Sequence, residues 1–156
     1  MSKSLKRVTD VLRAAGVDAV PMEMGAETRT ADQAAAAAGC ALDQIVKSII
    51  FQAHDSGECL LFLTAGGNRV DGAKAAQVVG AALDRADAGA VRAQTGFAIG
   101  GVSPVGHLSP IRSFWDPRLS DFDTVWAAAG TPRHIFPIAP VALLRLTGAQ
   151  VAEFTA

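Results

Sequence analysis

The apolar positions of this chain switch between two spacings, and each switch marks an element. Leu5, Val8, Leu12 and Ala15 recur at helical spacing until Gly16 supplies a left-handed stop. Val17 to Met24 partly alternates and predicts a short first strand. Thr30-Ala31-Asp32-Gln33 has the form of a capping box, so the alanine run 34–38 reads as a helix ended by Gly39. Ile45 to Phe51 is β-branched and apolar, His54-Asp55-Ser56-Gly57 is turn chemistry, and Cys59 to Thr64 is apolar again. That succession predicts an antiparallel hairpin. Gly66-Gly67-Asn68 breaks the second strand, and Asp71 caps a helix running to about Gly80. Asp87 caps another, through Gln94 to Gly96.

Residues 96–110 are too rich in Gly, Ser and Pro for regular structure. Further strands are expected at 111–115, 124–128 and 135–138, with turns at Asp116-Pro117 and Gly130-Thr131-Pro132. Pro140 opens a closing helix over 141–146. Helices and strands are interspersed without sustained βαβ spacing, repeat or linker. The expectation is an α+β fold, a single domain over residues 1–156, with a mixed, mainly antiparallel sheet flanked by short helices.

Composition narrows the function classes. Half of the 156 residues are hydrophobic and 19% are charged, which is ample apolar material for a core. Fourteen basic residues against fifteen acidic ones leave a net charge of −1. A surface that tracks duplex DNA through many phosphates needs a basic excess, so DNA is not an expected partner. A local basic mouth for a short single-stranded end remains compatible. Cys40 and Cys59 form no CxxC and read as reduced thiols in or near the core. No apolar run approaches the roughly 20 residues that span a bilayer, and no signal peptide is evident, so a cytoplasmic protein without membrane attachment is expected.

Three segments could carry chemistry. Lys47, one of only four lysines, interrupts an apolar strand and by alternation shares a face with Ile45 and Ile49. It is either an edge lysine snorkelling to solvent or a cationic anchor for a phosphate, carboxylate or polarised carbonyl. Gly100-Gly101-Val102-Ser103-Pro104-Val105-Gly106-His107 lets backbone N–H groups approach a ligand while Pro104 stiffens the loop, although such loops are also often structural. It is neither GxGxxG nor GxSxG. Gly130-Thr131-Pro132-Arg133-His134 presents an arginine and a histidine on a turn, where a histidine is commonly just solvated. Three His and two Cys without i, i+3 or i, i+4 pairing predict no metal site, and no cofactor is expected.

Taken together, Ile45 to Phe51, Gly100 to His107 and Ala129-Gly130-Thr131-Pro132 resemble the YbaK/prolyl-tRNA-synthetase-associated editing domain family. Arg29-Thr30-Ala31 and Asn68-Arg69-Val70-Asp71 support the resemblance, which covers nearly the whole chain. It implies a free-standing hydrolase that deacylates mischarged aminoacyl-tRNA in trans. The tRNA is chiefly that for proline, carrying a small wrong residue such as Ala, Cys, Ser, Thr or 2-aminobutyrate. The implied partners are the aminoacylated tRNA 3′ end and prolyl-tRNA synthetase. By the same resemblance Lys47 matches the strand lysine needed for deacylation, and Gly100, Gly101, Val102, Ser103 and Pro104 match the GxxxP loop that holds the aminoacyl end. His134 would position water or meet the amine. Thr64, Asp71 and Gly130 become substrate contacts, unless Thr64 merely pairs a strand and Asp71 merely caps a helix. The alternative is a binding module of the same fold that recognises tRNA or a synthetase without catalysis.

Overall fold

A computed structural model describes residues 2–156. Five helices are α1 (Lys3–Ala14), α2 (Ala31–Ala38), α3 (Gly72–Val79), α4 (Ala88–Thr95) and α5 (Pro140–Thr147). The strands are β1 (Met22–Glu23), β2 (Ile45–Ala53), β3 (Cys59–Ala65), β4 (Leu83–Arg85), β5 (Arg112–Trp115), β6 (Val125–Ala128), β7 (His134–Ile138) and β8 (Gln150–Val151). They form one mixed sheet in the order β1-β7-β6-β2-β3-β5-β8, with β4 also on β2. Pairings β1/β7, β2/β3, β2/β4 and β6/β7 are antiparallel, while β2/β6, β3/β5 and β5/β8 are parallel. The α+β, mainly antiparallel architecture expected from the sequence is the observed one.

The caps formed where the side chains called for them. Thr30 and Gln33 close a reciprocal capping box on α2, Asp71 accepts from the Ala73 and Lys74 amides, and Asp87 accepts from Ala90. Each such cap is worth about 1 kcal/mol. The expected strand over 17–24 shrinks to Met22–Glu23, because only these two residues pair with β7 at the sheet edge. Strands β4 and β8, of three and two residues, carry too little pattern to be read from sequence.

Both faces of β3 are covered, which explains its unbroken apolar run. Cys59, Leu61, Leu63 and Ala65 point into the larger core, with α1, Phe97, Trp115 and Phe136. Leu60 and Phe62 point the other way, with Phe114, Phe154 and Ala75 of α3. There Phe62 stacks on Phe114 at 4.9 Å and meets Phe154 edge-on at 5.0 Å. Such pairs add about 0.5–1.5 kcal/mol each to the area term. On this second face Ala34 and Ala35 of α2 cover Ile45, with Trp126 of β6 partly buried beside them. Between the α2 patch and the phenylalanine patch the sheet stays open.

Candidate functional site

Lys47 stands in that opening. Its strand neighbours on the same face, Ile45 and Ile49, belong to the two flanking patches, as alternation requires. A cavity of about 580 Å³ forms here. Its walls are the first turn of α2 with Thr28 to Asp32, the β2 segment 45–49, the turn 66–69, Ile99-Gly100 with Val102, and Trp126 to Ala128. Arg29, Lys47 and Arg69 line it against a single carboxylate, Asp32. The global charge of −1 therefore conceals a locally positive mouth.

The Lys47 ammonium donates to the main-chain carbonyl of Asn68. Partial burial pushes its pKa below the ordinary lysine range and Arg69 adds to that, while Asp116, Asp43 and Asp32 oppose it. The receiving turn is tightly held. Asp116 Oδ2 accepts from the Ala65 amide at 3.0 Å and from Asn68 Nδ2 at 2.9 Å. Asp43 Oδ1 accepts from the Gly67 amide at 2.8 Å. Arg118 ties the two acids together, its amide to Asp116 Oδ1 and its guanidinium to Asp43 Oδ2, both at 3.0 Å. Gly66 allows the close approach: a Cβ there would lie 2.1 Å from the Leu42 carbonyl oxygen.

Across the cavity, Gly100 adopts φ +92°, a left-handed conformation suited to glycine. Among the described residues its N–H has no hydrogen-bond partner, nor does that of Val102. Gly101 differs, because its N–H donates to the Ala98 carbonyl at 3.0 Å and its Cα packs against the Gly130-Thr131 turn. The expected ligand-facing amides therefore reduce to those of Gly100 and Val102. Ser103 is fully buried; its hydroxyl accepts from the Val105 amide, and its carbonyl accepts from His107 Nε2 at 2.7 Å. Burial lowers the His107 pKa, with Arg7 contributing. Pro104 and His107 face a second, more open cavity of about 470 Å³ behind the loop.

Of the catalytic and substrate-binding residues expected from the sequence, Lys47, Gly100 and Val102 meet at one cavity. The others do not line it. Thr64 lies opposite Lys47 in register but is fully buried and gives its hydroxyl to the Phe62 carbonyl. Asp71 is the α3 cap. Gly130, at φ +92°, admits Phe97 and Ser4, which a Cβ would meet at 2.8 and 3.1 Å. His134 opens β7 opposite Glu23, with its Nδ1 hydrogen-bonded to the Thr131 hydroxyl. Asp116 and Asp43 escaped sequence reading, since a turn aspartate looks alike whether or not it supports a site. Among the described residues no cluster of His, Cys, Asp or Glu could hold a metal ion, and both thiols are free. No described helix is long and apolar enough to cross a membrane.

Comparison with known proteins gives this geometry a context. The model of a family described as an aminoacyl-tRNA editing domain matches residues 25–146. The crystal structure of a candidate trans-editing enzyme for prolyl tRNA synthetase superposes with a TM-score of 0.92 at 46% identity, covering 100% of this chain and 99% of that one. That of hypothetical protein APE2540 superposes at 0.88 with 27% identity, covering 96% and 99%. Uncharacterized protein YwhH of Bacillus subtilis (strain 168) is 30% identical over 129 residues, 83% of this chain and 82% of its own length.

Proposed function

Because the chain belongs to the aminoacyl-tRNA editing domain family, we propose that it is a hydrolase that removes a small wrong amino acid from tRNA, acting in trans on tRNA for proline in the cytoplasm. Residues 1–156 then constitute a single editing domain. The observation that carries this reading is the single cavity lined together by Lys47, Arg29, Arg69 and Gly100, whose N–H has no hydrogen-bond partner among the described residues. Three cations against one carboxylate suit the phosphate and adenosine of a tRNA 3′ end.

The chemistry asks little of side chains. An aminoacyl ester is already activated, so its hydrolysis needs a placed water and charge stabilisation at the carbonyl oxygen. Water adds to the carbonyl carbon, the Gly100 and Val102 amides receive the developing oxyanion, and the ribose oxygen leaves with the proton that the water gives up. Lys47 anchors the terminal nucleotide so that the ester lies against those amides. The vicinal ribose hydroxyl takes the part of a protein base, in keeping with the position of His134 outside the cavity. Substrate size is set by the apolar walls at Ile45, Val102, Trp126 and Ile135, where one methylene discriminates by only about 1–3 kcal/mol.

The test charges tRNA for proline separately with alanine, cysteine, serine, threonine, 2-aminobutyrate and proline, then follows loss of the ester. Selective loss of a non-proline residue, absent with Lys47→Ala, is the expected result. Tight binding of the charged tRNA with every ester intact would instead establish a binding module. Adding prolyl-tRNA synthetase to the assay reads whether it raises the rate.

A further inference from the structure

Asp116 is the one carboxylate buried among the described residues, at 2% exposure, and has no ion-pair partner among them. Three N–H groups replace the water it has lost, those of Ala65, Asn68 and Arg118. Two of these bonds shape the turn 65–68, and a neutral carboxamide oxygen at Oδ2 would accept both; the third, from the Arg118 amide to Oδ1, caps the helical turn 117–121. A full negative charge is more than the turn requires, and burying one is costly. The group beyond Asn68 is the one that benefits. Asn68 donates its side-chain amide to Asp116 and offers its main-chain carbonyl to the Lys47 ammonium.

We propose that Asp116, acting through Asn68, is a positioning residue for Lys47: it fixes the turn whose carbonyl receives the ammonium and supplies a buried counter-charge that keeps Nζ cationic and held at the cavity wall. The other charges around Lys47 do not duplicate this role. Arg69 opposes it and Arg29 adds a further cation to the lining. Asp43 is committed to Arg118, and Asp32 is exposed at the start of α2. Asp116 alone combines burial, freedom from a paired cation and a hydrogen-bonded path to the lysine.

Four lysines make the test direct. With lysine labelled at ¹³Cε, Lys47→Met identifies the Lys47 signal, which titrates below the ordinary lysine range in the wild-type protein. In Asp116→Asn, which keeps the Oδ2 acceptor but removes the charge and the Oδ1 acceptor, the Lys47 signal titrates at still lower pH. An unmoved Lys47 titration in a folded Asp116→Asn protein overturns the proposal. Wild-type protein with labelled aspartate carboxyls provides a second reading that needs no Asp116 variant. The Asp116 signal shows an inflection where Lys47 loses its proton, and Lys47→Met abolishes it; absence of that inflection likewise overturns the proposal.

The activity arm rests on the deacylase reading: the alkaline limb of the pH–rate profile moves to lower pH in Asp116→Asn by the same amount as the Lys47 signal, and Asp116→Glu restores part of it. A shift of the NMR titration without measurable deacylation leaves the Asp116–Lys47 coupling standing and removes the deacylase reading instead.

Discussion

The two walls of the cavity are held in different ways. The lysine wall is polar: Lys47 leans on a four-residue turn that is pinned by Asp116 and Asp43, which Arg118 joins. The glycine wall is steric and apolar. Gly100 turns left-handed, Gly101 lies on the Gly130-Thr131 turn, and Val102 to Val105 are buried. Arg7 clamps this wall from α1 through the Gly106 and Gly96 carbonyls and lies over the Phe97 ring at 4.9 Å. An ammonium must be placed by charge and hydrogen bonds, because a four-carbon stem has little shape to pack. Backbone amides are placed by the chain path, which packing controls. The lysine wall should therefore respond to charge, and the glycine wall to added volume.

The largest expected effect is that of Lys47→Ala, which lowers deacylation by about 10²-fold or more while the thermal midpoint barely changes. Single-turnover ester hydrolysis and thermal unfolding on the same preparation read both quantities. Next is Gly66→Ala, where the new methyl meets a backbone carbonyl that cannot swing aside. It costs about 2 kcal/mol of stability in denaturant unfolding and lowers activity as well, by displacing the turn that holds Lys47.

Gly100→Ala follows, at about 1–2 kcal/mol for a β-carbon in the left-handed region. Gly101→Ala, with its nearest neighbour at 3.5 Å and no positive φ, costs less than about 1 kcal/mol. Equal losses at 100 and 101 would dissolve the distinction between the ligand-facing and the packed glycine.

The smallest effect concerns His107 behind the loop. Its folded pKa is depressed by burial. The unfolded chain therefore binds the extra proton first as pH falls through about 6.5. Stability contributed by the neutral ring is complete above that pH and declines below it. Denaturant midpoints at pH 7.5 and 5.5 should differ more for the wild-type protein than for His107→Gln. An equal difference would show that the ring is not what acid disturbs.

Much of this was legible residue by residue. Thr30 with Gln33, Asp71 and Asp87 announced their helices because a cap is a contact between near neighbours. The alternation that set Lys47 beside Ile45 and Ile49 held because a strand's side-chain period is fixed. His134 illustrates the opposite case. A histidine on a turn looked available for proton transfer, yet β7 pairs it opposite Glu23 and Thr131 holds its ring. Thr64 likewise lies level with Lys47 but is fully buried, its hydroxyl given to the Phe62 carbonyl.

The sequence alone thus determined the helices, the longer strands, the face of Lys47 and the loop at Gly100, all of which depend on interactions spanning a few residues. Tertiary structure decided that α2 and the phenylalanine patch leave the sheet uncovered at Lys47. It also decided that Asp116 lies buried against Asn68, forty-eight positions away. Such juxtapositions depend on strand order and on how far each helix extends over the sheet, and neither has a local signature in the order of residues.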